Sequence, residues 1–224
     1  MEQRTEEHGS RPAGGGYFAG FAPWIVFDVV ASPSTWEYAS LAALVTAVLL
    51  GRPSAGRGGW KILDVAGIAF FAVMSLLALF LGRDDLEWLE TYAQPISSGV
   101  LAVVAFGSLL FDPFTAQYAR ESTPRQYWDS PVFRRVNRLL TAVWGLVFTV
   151  IAVLGVVAVH VEGGDDWLNW VIPVALIAAA FTFSARYPDS VRRRMATEGP
   201  PAGGGATAGA GIRNDRGGRP GRPG

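Results

Sequence analysis

The stretch Leu139–Val161, LLTAVWGLVFTVIAVLGVVAVHV, limits this chain more than any other. Its first 21 residues, Leu139–Val159, carry no charge, and none is more polar than Thr141 and Thr149. As a helix rising 1.5 Å per residue it reaches roughly 34 Å, enough to cross a hydrocarbon layer of about 30 Å. Arg134, Arg135 and Arg138 precede it, and Glu162, Asp165 and Asp166 follow it. That asymmetry reads as a membrane span whose ends face different compartments.

Comparable stretches recur along the chain. Tyr17–Ser32 is short and contains Pro23 and Asp28, which predicts a kinked helix. Ser34 and Glu37 have capping-box spacing and introduce a helix that runs to Gly51. A third apolar helix is expected over Ile62–Leu81 and a fourth over Pro95–Leu110, with Asp84 and Glu87 capping an acidic interfacial segment before it. Asp112-Pro113 should end the fourth, and a short interfacial helix is expected early in the polar connection 114–130. Ser130 is the expected N-cap of the fifth helix, with Pro131 at its first position. The sixth covers about Leu168–Tyr187 and should stop at Pro188. The fold these predict is all-α: a polytopic membrane helical bundle of six transmembrane helices.

Three regions follow: a disordered segment 1–16, a six-span domain 17–195, and a tail 196–224 rich in glycine, proline and arginine. With the N-terminus inside, 18 of the 19 basic residues fall in inner segments and Arg83 alone lies outside. This places both termini in the cytoplasm and the chain in the bacterial cytoplasmic (inner) membrane, as a multi-pass protein. Only 17% of the residues are charged, fewer than in an average soluble domain. The absence of cysteine excludes disulfide, thiolate and iron–sulfur chemistry, and the two histidines, His8 and His160, form no metal-ligand cluster. No phosphate-binding loop, nucleophile elbow or HExxH motif is present, so neither a cofactor nor a metal is expected.

The candidate functional residues are the polar side chains within or beside the apolar stretches. Asp28 must be protonated, paired or open to a polar cavity, and is the one on which a transport function would turn. Asp64 and Asp112 fall near helix ends, where Lys61, Arg134, Arg135 or Arg138 could pair with them. The Asn137 amide could bond across helices or to a lipid headgroup. Arg134, Arg135 and Arg138 suit topology anchoring or contact with anionic lipid.

Several stretches resemble the bacterial intracellular septation protein A family of inner-membrane proteins. They are the aromatic opening segment Phe21–Ala31, the run Leu86–Leu110 with its proline, and Trp167-Leu168-Asn169. The fullest likeness is Trp128–Phe148, with Phe133, Arg134, Arg135, Asn137, Trp144 and Phe148 at similar intervals. The resemblance implies a non-enzymatic integral membrane protein that supports cell-envelope maintenance or septation through protein and lipid contacts. Its partners would be membrane lipids and envelope-synthesis or division proteins, with a second copy of the chain as a further candidate and no specific nucleic acid. Two alternatives stand beside it: a small transporter or channel using Asp28, and a membrane enzyme acting on a lipid or isoprenoid substrate.

Overall fold

The structure is a computed structural model, and it describes residues 15–31, 35–51, 59–161 and 167–197. Helices α1 (Gly15–Val30), α2 (Trp36–Leu50) and α3 (Ile62–Phe80) are followed by α4 (Arg83–Ser108) and the short α5 (Phe114–Ser122). A 3₁₀ turn at Arg125–Tyr127 leads to α6 (Pro131–Ala158). A π-helical turn, Trp167–Val171, leads to α7 (Ile172–Thr197). The chain divides into two compact units, residues 1–188 and 189–224. In the second, the described residues are the last turns of α7, where exposed Arg192 lies 3.7 Å from Asp189.

Within the first unit, α1 supplies the aromatic spine. Phe21, Trp24 and Phe27 recur every third residue and are all buried, so they share one side of the helix. Phe21 stacks on Trp144 of α6 at 5.0 Å and meets Phe181 of α7 edge-on at 6.1 Å. Trp24 stacks on Phe70 of α3 at 5.2 Å, and Phe27 packs on Phe71 at 5.3 Å. Such ring pairs contribute about 0.5–1.5 kcal/mol each beyond their burial. Helices α4 and α6 pack most extensively, through buried Ala102, Ala105, Gly145 and Gly155. A Cβ on Gly155 would come within 2.8 Å of the Pro95 ring, so glycine is what lets the two helices approach there.

The structure overturns the six-span membrane bundle. Among the described residues two helices, α3 and α6, are long and apolar enough to cross a membrane. Helices α1 and α2 have 16 and 15 residues, or about 24 and 22 Å of rise, short of a hydrocarbon layer of about 30 Å. Helix α4 begins with the acidic segment that was expected to precede a span, and α7 carries Arg192, Arg193 and Arg194 before its end at Thr197. What the chain forms is an all-α bundle with extensive helix–helix packing and aromatic clusters. The alternating inside–outside ledger of arginines loses its frame. With it fall the multi-pass inner-membrane location, the lipid and division-protein partners, and the envelope, transport and membrane-enzyme functions that rested on it. Large apolar side chains do remain exposed, Leu79, Phe80, Leu110 and Phe111 among them.

Several helix limits also differ from expectation. Helix α4 passes through Pro95 instead of starting there, and α7 passes through Pro188 instead of stopping. Thr35, not Ser34, is the N-cap of α2; its hydroxyl makes no capping bond and donates to the Val30 carbonyl at 2.6 Å. Ser34, the Asp84 side chain, segment 1–14 and the tail 198–224 lie outside the description. Ser130 does cap α6: its hydroxyl accepts from the Phe133 amide at 3.2 Å, with Pro131 at the first helical position.

Candidate functional site: a cavity beside Asp28

The candidate site is a partly open cavity of about 100 Å³ in the first unit, beside the polar residue Asp28. Helix α1 contributes Asp28 and α4 contributes Gln94, Pro95, Ser98 and Leu101. Phe148, Ile151 and Gly155 come from α6, and Leu168, Trp170 and Ile177 close the space from the π-helical turn and α7. Asp28 is the only titratable side chain among these lining residues.

Local chemistry explains how Asp28 is held. It lies in the last turn of α1, where backbone carbonyls have no intrahelical partner. Gln94 fills that role for one of them, donating Nε2–H to the Asp28 backbone carbonyl at 3.2 Å. The Asp28 side chain is not satisfied in this way. The residue keeps some accessible surface, but its Oδ1 is enclosed and has no hydrogen-bond partner among the described residues. Burial raises the carboxyl from its ordinary value to about 7. The negative pole of the α1 dipole at this end acts in the same direction. The group therefore changes charge near neutral pH, an uncommon property for a carboxylic acid and one that concentrates at functional sites.

The other sequence candidates lie elsewhere, around α5. Asp64 accepts a long hydrogen bond of 3.4 Å from the Tyr118 hydroxyl. Burial raises the Asp64 carboxyl, and Lys61 opposes the rise. Burial first, then neighbouring Asp64, holds the Tyr118 hydroxyl well above its ordinary range, so it remains a donor. Lys61 lies 4.1 Å from the centre of the Tyr118 ring and pairs with Glu121 at 2.6 Å. Asp112 binds Arg120 through two bonds of 2.6 and 2.7 Å. The Asn137 amide donates to Phe133 of its own helix, while its backbone carbonyl accepts from Thr115 at 2.8 Å. Arg134 pairs with Asp129 at 2.9 Å in an exposed position, and Arg135 and Arg138 are exposed.

Helix α5 is thus the hub that sequence reasoning missed. Its Tyr118 meets Asp64, its Arg120 meets Asp112 and its Thr115 meets Asn137. Gln117 adds a fourth tie by accepting the first amide of α3, Ile62 N–H, at 2.9 Å. The available signal was the spacing of Phe114, Thr115 and Tyr118, all buried. Asp64, Asp112 and Asn137 are therefore structural ties between helices. They are separate from the cavity, which none of them lines.

The buried Thr115 hydroxyl also lies 2.8 Å from the Thr141 hydroxyl. Thr115→Val should leave Thr141 and the Asn137 carbonyl short of a partner in the interior. The expected cost is about 1–3 kcal/mol, read as a lower denaturant midpoint at unchanged slope. A midpoint equal to the parent's would show that this bond contributes nothing.

Among the described residues no group of three His, Asp or Glu side chains is arranged to hold a metal ion. The cavity's single carboxyl, an amide, a hydroxyl and apolar walls suit reversible binding of a small molecule better than covalent chemistry. No protein-family model matches the chain, and neither a curated protein nor a solved structure matches it.

Proposed function

We propose that this chain is a small-ligand-binding helical protein whose site is the cavity beside Asp28. The observation that carries the reading is Asp28, which lines a cavity otherwise walled mainly by apolar groups and whose enclosed Oδ1 has no partner among the described residues. Pockets with a few convergent polar groups and a perturbed titratable residue are the default location for binding. By comparison with a cavity of about 150 Å³ that takes benzene, this one takes about four non-hydrogen atoms. Kinship with the septation protein A family enters as a proposal about ancestry alone. Its support is that Asn137, Trp144 and Phe148 are all buried in α6.

The test is a panel of four- to five-atom probes of differing charge, followed by two-dimensional NMR of the Trp170 indole and the Ile151 methyl groups. At least one probe should shift both resonances saturably in the parent. Ser98→Leu, which fills the cavity from α4, should abolish that shift while the chain stays folded. If no probe binds, or if probes shift parent and filled variant alike, this reading is wrong.

A further inference from the structure

We propose that the ligand class of the Asp28 cavity is a short primary alkylammonium ion, its ammonium held by the Asp28 carboxylate and its hydrocarbon chain lying against Leu101, Phe148 and Ile151. This inference rests on the binding reading above and makes it specific.

The only charge on the described lining of the cavity is the Asp28 carboxylate. Gln94 donates one of its two amide N–H bonds to the Asp28 backbone carbonyl and keeps the other beside its Oε1 acceptor. Ser98 adds a hydroxyl that both donates and accepts, and Trp170 carries an indole N–H. Two lining residues are prolines, Pro95 and Pro173. Neither has an N–H to donate. The last turn of α1 brings the negative pole of a helix dipole to the same place. Among the described residues no lysine, arginine or histidine lines the cavity to neutralise this. An anionic ligand would meet the repulsion of the carboxylate, and a neutral one would leave its charge uncompensated. An ammonium group supplies three donors and the missing positive charge.

Charged groups on the neighbouring helices do not supply it instead. Glu37 on α2, Asp64 on α3 and Glu87 and Glu90 on α4 are acidic, and Glu37 and Glu87 make themselves felt at Glu90, not at Asp28. On α6 the cations Arg134, Arg135 and Arg138 lie in the first turns, 10 or more residues before Phe148, the first lining residue of that helix, which is about 15 Å along a helix. On α7, Arg186 lies nine residues beyond Ile177. The shift at Asp28 has burial as its cause.

Volume sets the chain length. About four non-hydrogen atoms fit, which corresponds to propylammonium. A ligand that small should bind with a dissociation constant on the order of a millimolar.

The experiment titrates the full chain with propylammonium, 1-propanol and propionate at pH 8 and at pH 5, following the Trp170 and Ile151 resonances. Propylammonium should bind at pH 8 at least about tenfold more tightly than either of the others. Its affinity should fall by about tenfold or more at pH 5, where the carboxyl is protonated. In Asp28→Asn the preference for propylammonium should vanish while 1-propanol binds as in the parent, showing that the cavity is intact. Binding of 1-propanol or propionate as tight as that of propylammonium overturns the ligand class and leaves the binding reading standing. Binding of none of the three at the cavity resonances overturns both.

Discussion

Gly20→Ala should destabilise the chain by about 3 kcal/mol, although alanine is the better helix former by about 1 kcal/mol. Gly20 is buried within α1, and a Cβ there would overlap the Tyr118 hydroxyl and the ring carbon that bears it. That ring is not the free end of a flexible side chain. It is buried, it carries Lys61 on its face at 4.1 Å, and its hydroxyl reaches Asp64. Making room for one methyl group therefore disturbs three helices together. In a chain of 224 residues the loss corresponds to a fall in Tm of roughly 6–12 °C. Tyr118→Leu provides the control. It has its own cost, but Gly20→Ala added to it should cost far less than in the parent, giving a large coupling in the double-mutant cycle. Additive costs would mean that α1 and α5 do not meet at Gly20 and Tyr118.

How much of this could be read in the chain beforehand depends on the range of the interaction. The start of α6 was legible because a cap is local: Ser130 and Pro131 act within one turn, and both act as expected. Helices α3 and α6 were legible because each is a long uninterrupted apolar run. The prolines misled for a physical reason. Proline removes one hydrogen bond and crowds the preceding turn, which usually ends a helix. At Pro95 the ring instead packs against Gly155, whose missing side chain leaves space for it, and α4 continues. A partner 60 residues away cannot be inferred from the proline itself.

The six-span reading failed at a similar point. Hydropathy counts apolar residues but does not say what they face. Phe21, Trp24, Phe27, Trp144 and Phe148 all raise the apolarity of their stretches, and all are buried against one another or against other helices. Asp28 was legible as an unusual residue from its setting alone. Its cavity was not, because the walls come from α4, α6 and α7, far along the chain. The role of α5 was hidden for the opposite reason: nine residues of mixed polarity give little hydropathy signal, yet Thr115, Gln117 and Tyr118 tie down other helices and Arg120 ties the loop before α5.

Removing the charge of Asp28 should change the pH dependence of stability more than any other single substitution at a described carboxylate. The folded chain holds this carboxyl at about 7, whereas an unfolded chain holds an aspartate near 3.9. Between those values the folded state keeps a proton that the unfolded state releases. Unfolding is then favoured as pH rises, and the stability present below about pH 4 is lost progressively up to about pH 7. From pH 5 to pH 8 this single group should cost the parent about 3 kcal/mol. Asp28→Asn has no such titration, and the Gln94 bond to the backbone carbonyl is untouched by the change. Other groups titrate alike in both proteins and cancel in the difference. The stability of Asp28→Asn relative to the parent should therefore rise by about 3 kcal/mol between pH 5 and pH 8, measured by denaturant unfolding in buffers free of amines. Added propylammonium at pH 8 should narrow the gap by binding the parent more tightly than the variant. A difference between the two proteins that stays constant with pH would mean that the Asp28 carboxyl titrates as in open water and that the cavity does not bury it.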